Sequence, residues 1–232
     1  MRIVCLSDTH LCKGLAVPDG DVLIHAGDLT MSGEERAIAA AATWLGNLPH
    51  RHKIVIAGNH DWLFQRQPGL ALAYMEPDLI YLEDSGCEIE GLKFWGSPWQ
   101  PWFQSWAFNL PRKGEKLREK WNCIPVDTDV LITHGPPYGI LDQVDGGDHL
   151  GCEELAIRWV AVRPRLHVFG HIHDGYGSLK RAGTLFVNAS ILDESYKIAH
   201  RPVVIDLNGD EIQVVNRAIK QVRPKIRKRD QE

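Results

Sequence analysis

The chain has 232 residues, 44% of them hydrophobic, and a formal net charge of −4. That composition supports a sizeable core in one large or two small domains and excludes global disorder. The near-neutral charge argues against a surface coated in basic residues for bulk nucleic acid, so no stable nucleic-acid partner is expected. No apolar run reaches the ~18 residues of a membrane span.

Met1 to Leu6 is too short for a secretory apolar region and reads as a first buried strand, Ile3 to Leu6. Further strands are predicted at Val22 to Ile24, Ile54 to Ile56, Val130 to Ile132 and Leu166 to Phe169. A helix is predicted over Glu34 to Leu45, with Ser32 as its N-cap and an alanine-rich body. Two more are expected over Arg112 to Trp121 and Cys152 to Val162. Between them, Trp95, Trp99, Trp102 and Trp106 are interrupted by Gly96, Pro98 and Pro101, and the prolines exclude an uninterrupted helix. A packed loop is expected there, with a wall or lid beside a site as the alternative. From Leu185 the pattern turns to strands, and Val203 to Leu207 and Ile212 to Val215 flank the hairpin turn Asn208-Gly209-Asp210.

Strands alternating with helices define an α/β fold. One domain is expected over 1–216, followed by a flexible basic tail at 217–232 that includes Arg223 to Arg229. The five cysteines (Cys5, Cys12, Cys87, Cys123, Cys152) are scattered and form no C-x-x-C. A disulfide framework is therefore not expected, and a cytoplasmic location is.

The chemistry-bearing residues collect just after the apolar runs: Asp8-Thr9-His10, Gly27-Asp28, Gly58-Asn59-His60-Asp61, His134-Gly135 and Gly170-His171-Ile172-His173. In α/β sheets ligands bind beyond the carboxyl ends of the strands, so five loops can converge on one crevice. A single D-x-H or H-x-H pair would carry little weight, whereas five such loops in order carry much more. Carboxylate, amide oxygen and imidazole without thiolate suit Mn²⁺, Fe, Zn²⁺, Co²⁺ or Ni²⁺ rather than a cysteine-rich structural zinc. Asp8, His10, Asp28, Asn59, His134, His171 and His173 exceed the needs of one ion, and a bridging carboxylate would let two divalent ions share them.

At these residues the sequence resembles the calcineurin-like metallophosphoesterase superfamily, whose D-x-H, G-D, G-N-H-D/E, later His and G-H-x-H motifs stand here in order from Asp8 to about Ser190. Thr133-His134-Gly135-Pro136-Pro137, Gly96-Ser97-Pro98-Trp99 and Trp106-Ala107-Phe108-Asn109 are closer to one branch. That branch holds the metallophosphoesterase-domain-containing proteins of animals and their bacterial relatives. The resemblance implies a four-layer α/β/β/α sandwich with two packed mixed sheets and a dinuclear metal site, Mn²⁺ being the leading ion. It implies Asp8, His10, Asp28 and His173 around one metal and Asp28, Asn59, His134 and His171 around the other, with Asp28 bridging. His60 would act on the substrate phosphate as catalytic residue, and a metal-bridging hydroxide would attack phosphorus.

Ser/Thr protein phosphatases of the superfamily carry G-D-x-x-D-R-G, whereas this chain has Gly27-Asp28-Leu29-Thr30-Met31-Ser32-Gly33. Met31 stands where an Asp partners the catalytic His, and Ser32 where an Arg clamps a dianionic monoester. Asp61 is a candidate to support His60 instead. The expected substrate is a small phosphodiester, with cyclic nucleotides leading by analogy to the animal branch. The alternatives are a phosphomonoesterase or nucleotidase, and a nucleotide-binding scaffold with weak catalysis. A nuclease is disfavoured by charge. The oligomeric state stays open.

Among the other polar residues, His25 and His167 are expected in the core, and His50 and His52 exposed before a strand. Asn59, His60 and His149 are the candidates for contacting substrate, Cys152 is structural, and Asn188 is a hint of a loop near the site.

Overall fold

A computed structural model describes residues 1–75, 77 and 79–215. The expected basic tail, 217–232, lies outside the described residues.

The strands are β1 (Arg2–Leu6), β2 (Val22–Ala26), β3 (His52–Ile56), β4 (Leu79–Tyr81), β5 (Ser85–Ile89), β6 (Leu92–Ser97), β7 (Gln100–Pro101), β8 (Asn109–Leu110), β9 (Val130–Thr133), β10 (Leu166–Phe169), β11 (Gly177–Arg181), β12 (Thr184–Asn188), β13 (Val203–Asn208) and β14 (Glu211–Val214). The helices are α1 (Glu35–Gly46), α2 (Trp62–Arg66), α3 (Pro68–Ala73), α4 (Glu115–Asn122) and α5 (Glu153–Val162). Among the described residues, two six-stranded sheets form, in the orders β14-β13-β1-β2-β3-β4 and β11-β12-β10-β9-β6-β5. In the first, β1 to β4 run parallel and β13 and β14 add antiparallel neighbours. In the second, β12, β10, β9 and β6 run parallel, flanked by antiparallel β11 and β5.

The apolar runs are continuous because both faces of each central strand are covered. Along β1, Ile3 and Cys5 face the second sheet while Val4 and Leu6 face the helices, following the period of two. Ile24, Ile56, Val130, Ile132, Val168 and Val187 fill the layer between the sheets. Outside the first sheet, α1 contributes Ile38, Ala41, Ala42 and Leu45, the i, i+3, i+4, i+7 face its sequence encodes. Outside the second, Leu117 and Trp121 of α4 and Leu155 and Val162 of α5 cover Leu131. The result is the α/β/β/α sandwich with two packed mixed sheets.

Several local expectations are corrected. The N-cap position of helix α1 is Glu34, which makes no side-chain capping bond, rather than Ser32. The Thr30 hydroxyl already holds the Gly33 N–H at 2.9 Å, closing a turn that leaves Ser32 beside the Glu34 carboxylate, 3.4 Å away. Helix α4 starts at Glu115, because Gly114 at φ 115° breaks the path from Arg112. His50 is buried rather than exposed, its Nε2 lying 3.0 Å from the Pro18 carbonyl, and His52 is the half-buried first residue of β3. The tryptophan segment is not one loop: Trp95 belongs to β6, and Gln100–Pro101 pairs with Asn109–Leu110. The Trp99 indole donates to Asp84 at 2.9 Å, Trp102 is exposed and Trp106 stacks on His60.

Ile132 sits at 0% exposure in the layer between the sheets. Ile132→Ala should lower unfolding stability by about 2–5 kcal/mol. Urea unfolding would read this as a lower midpoint with an unchanged slope.

Candidate metal centre

The carboxyl ends of the parallel strands of both sheets meet at one edge. Asp8 and His10 follow β1, Asp28 follows β2, Asn59 and His60 follow β3, His134 follows β9, and His171 and His173 follow β10. Main-chain bonds lace these loops together. Asp8 N–H donates to Gly27 O at 3.0 Å, His10 N–H to Asp28 O at 3.1 Å, and Gly170 N–H to His134 O at 2.9 Å. The two sheets are joined where Ser7 N–H reaches Ala189 O at 2.9 Å and Ile191 N–H reaches Ser7 O at 3.0 Å. Approach is close at Gly58 and Gly170, where an added Cβ would collide with Asp28 Oδ1 and Asp8 Oδ2. Asp8, His10, Asp28 and His171 all have positive φ (53°, 43°, 54° and 67°). Each such residue costs about 1–2 kcal/mol, so strain is concentrated at the functional edge.

The donor atoms converge. In each of three groups the donor atoms lie within 4.8 Å of one another: Asp8 with His10 and His173, His10 with Asp28 and His60, and Asp8 with Asp28 and His134. Asn59 joins through Oδ1, 2.8 Å from His134 Nε2. His171 falls outside these three groups. Its backbone N–H donates to Asp8 Oδ2 at 2.9 Å, and its ring lies 5.0 Å from that of His134 on the cavity wall.

Backbone carbonyls set the histidine tautomers. Nδ1 of His10, His134 and His173 lies 2.8, 2.9 and 3.1 Å from the carbonyls of Thr30, Ala26 and Asp193. A carbonyl only accepts, so each Nδ1 carries the proton and each Nε2 is turned toward the carboxylates. His10 Nε2 is buried without a hydrogen-bond partner, 3.6 Å from Asp28 Oδ2. His134 Nε2 is 3.5 Å from Asp28 Oδ1, and His173 Nε2 is 3.5 Å from Asp8 Oδ1. An orphaned imidazole nitrogen among oxygen donors, with no thiolate, fits divalent cations.

The electrostatics agree. Burial disfavours charge on Asp8, but the His173 contact and the charges of His134 and His10 hold its carboxyl well below the usual range. Burial likewise opposes charge on Asp28, and His134 outweighs it, so that carboxyl is lowered too. Burial would lower His134, yet Asp28 and Asp8 raise it to about 9; the Asp8 contact raises His173 to about 9 in the same way. Burial and the His134 charge lower His171 to about 3, keeping it neutral.

His60 lies at the rim of this cluster. Its Nδ1 is 2.6 Å from the Met31 carbonyl, its ring stacks on Trp106 at 4.0 Å, and its Nε2 is 3.9 Å from Asp28 Oδ2. Asp61 does not support His60. Its carboxylate accepts from the N–H groups of Gly58, Leu29 and Thr30 and from the Thr30 hydroxyl, all at 2.9–3.0 Å. The residue in place of the expected Asp, Met31, orients His60 through its main chain.

A cavity of about 360 Å³ opens beside the cluster, lined by Asp28, Asn59, His60, His171 and His173 and, farther out, by Trp102, Phe103, Arg112 and Tyr196. His149 is not among its lining residues: its Nδ1 lies 2.6 Å from Asp142 Oδ1 and its ring 5.6 Å from that of Tyr138. His25 and His167 are fully buried, with Nε2 2.8 and 2.9 Å from the hydroxyls of Thr9 and Thr133. Cys152 caps α5 through Sγ, and burial raises its thiol pKa, as a structural cysteine requires.

Sequence reasoning missed Ser190, whose hydroxyl donates to Asp8 Oδ2 at 2.9 Å, although the hint at Asn188 lay next to it. Asn188 Oδ1 accepts from Ser190 and its amide donates to Ile172 O at 2.8 Å, so it positions the loop of His171 and His173. Ser190 follows β12, so the strand-end rule that found the cage applies to it as well. Asp193, Arg112 and Tyr196 had no comparable motif.

Two packed mixed sheets thus present carboxylates and imidazoles at their shared carboxyl edge, the donor set of a divalent-metal centre. The chain belongs to the calcineurin-like phosphoesterase family, whose profile matches residues 1–175. It is 45% identical over 232 aligned positions to metallophosphoesterase domain-containing protein 1 of Homo sapiens, covering 89% of this chain and 71% of that protein. The Mus musculus protein of the same name matches with the same identity and coverage. A solved structure from Thermus thermophilus shares the fold at TM-score 0.58 and 15% identity, covering 93% of this chain and 98% of that one.

In protein stripped of metal, His134 and His173 hold their protons up to about pH 9. Both values lie above the ordinary 6.5, so their contribution to stability is complete below pH 6.5 and is lost as pH rises through 9. Ligation by these rings would need both neutral, so divalent-metal affinity should rise across that window, with about two protons released at pH 7. Calorimetry in buffers of different ionisation enthalpy measures that count, and a value near zero would contradict this account.

Proposed function

We propose that this chain hydrolyses small phosphodiesters, with cyclic nucleotides as leading candidates. Asp8, His10, Asp28 and His173 would hold one divalent ion and Asp28, Asn59, His134 and His171 the other, with Mn²⁺ the favoured metal. When bound, such ions supply Lewis acidity and acidify coordinated water.

The chain's own groups do the rest. With Nδ1–H committed to Met31 O, His60 has Nε2 free to hold or give a proton at the leaving oxygen. Trp106 fixes the plane of that ring. Trp102 and Phe103 give the cavity apolar walls suited to the organic part of an ester.

The observation that carries the diester reading is the state of the cavity's cation. Ser32, at the clamp position, is exposed and sits by Glu34 rather than the cavity. Arg112, the Arg or Lys among the lining residues, is paired with Glu153 at 2.9 Å and also donates to Leu150 O and Gly151 O at 2.7 and 2.8 Å. Its charge is already balanced, which suits a singly charged diester better than a dianionic monoester. The rival monoesterase reading uses the same cage and is separated by substrate alone. We also propose a cytoplasmic setting, supported by five cysteines of which none is paired.

With added Mn²⁺ the protein should hydrolyse bis(4-nitrophenyl) phosphate faster than 4-nitrophenyl phosphate, and EDTA should abolish both activities. Failure of the metal-loaded protein on diester and monoester panels alike would leave binding without catalysis as its role. His60→Ala should reduce kcat about 10²–10⁴-fold with bound metal unchanged by elemental analysis. Loss of metal instead would place His60 within the cage.

A further inference from the structure

Tyr196 sits in the left-handed region at φ 58°, a conformation glycine or asparagine adopts far more readily. Asp193 builds the turn that holds it. The Asp193 carboxylate accepts from the Ser195 and Lys197 N–H groups at 2.9 and 3.0 Å, and its carbonyl accepts from Tyr196 N–H at 2.9 Å. The same carbonyl receives His173 Nδ1–H at 3.1 Å, tying the turn to the cage. These bonds use the main chain and Asp193, so none of them requires an aromatic side chain at 196.

The ring leaves this strained turn toward the site. Its centroid lies 5.1 Å from His10, 5.9 Å from His173 and 6.4 Å from His60, and it lines the cavity together with Trp102 and Phe103. These three aromatics remain 45%, 61% and 43% exposed around one opening. Exposed aromatics gathered at a cavity mouth are the usual means of holding an apolar or planar group.

We propose that Tyr196 is a substrate-contacting, specificity-determining residue. Its ring, with Trp102 and Phe103, receives the ester group that stays on phosphorus, and the site prefers diesters in which that group is planar and aromatic. This inference rests on the phosphodiesterase reading above.

The test compares bis(4-nitrophenyl) phosphate with methyl 4-nitrophenyl phosphate, which share a leaving group and differ only in the retained ester. Tyr196→Phe should stay within about threefold of the parent on both. Tyr196→Ala and Tyr196→Gly should each lose about tenfold in kcat/KM on the aryl diester and little on the methyl diester. Glycine relieves the backbone, so Tyr196→Gly should melt ~2–4 °C above Tyr196→Ala. If the residue served only the turn, glycine would restore the aryl preference along with the stability. That result, or equal losses on both esters, would overturn the proposal. Calorimetric binding of phenylphosphonate and methylphosphonate to the Mn²⁺-loaded protein gives a readout independent of turnover. If the parent hydrolyses neither ester, the catalytic reading fails and the phosphonates decide: selective loss of phenylphosphonate affinity in Tyr196→Ala supports the role, and equal affinities refute it.

Discussion

Two carboxylates, Asp8 and Asp28, are taken out of water at the seam between the two sheets, at 0% and 2% exposure. Removing an ion from water costs several kcal/mol unless charge and hydrogen bonds offset it, and the architecture of this edge is the set of offsets. Asp8 receives the His171 N–H and the Ser190 hydroxyl, and Asp28 receives the His60 N–H. Imidazoles face both from loops of both sheets. Neither sheet holds a complete set, so the sheets must pack in one register for either carboxylate to be tolerated. The left-handed backbone at Asp8, His10, Asp28 and His171 is the strain that accompanies that convergence.

The same constraint explains how the site does without two residues of its phosphatase relatives. Asp61 is committed to structure: by accepting from Gly58, Leu29 and Thr30 it locks the loop after β2 to the loop after β3. Burial and the neighbouring Asp28 raise its carboxyl to about 6, so it sits beside a second acid only because its donors hold it there. His60 is therefore oriented by the neutral Met31 carbonyl. A carbonyl fixes the tautomer without adding charge, a weaker device than a carboxylate but sufficient to aim Nε2.

Much of this was legible in the residues. The central strands stood out because burial on both faces demands unbroken apolar runs, and the α1 face because Ile38, Ala41, Ala42 and Leu45 keep helical spacing. The candidate cage was legible because each of its residues lies within a few positions of the end of such a run. Less legible were features set by distant partners. The cap of α1 shifted because Thr30 captured the Gly33 N–H, and His50 was buried by the carbonyl of Pro18, which no local pattern announces. His149, next to a glycine-rich stretch, was drawn to Asp142 rather than into the cavity.

The sequence by itself determined the layered α/β class, the family and which polar residues stand at the strand ends, since these depend on local periodicity and on residue types there. Only the tertiary structure decided which way each imidazole turns and what holds His60. It also decided that Ser190 and Tyr196 belong to the site, and that Arg112 meets the cavity with its charge already paired. These outcomes rest on contacts between strand ends and loops of different sheets, such as His134 with Ala26 and Asp8 with Ser190, 108 and 182 residues apart. Periodicity reports which face a residue takes within its own element. It is silent on the carbonyl or carboxylate that another element brings to meet it.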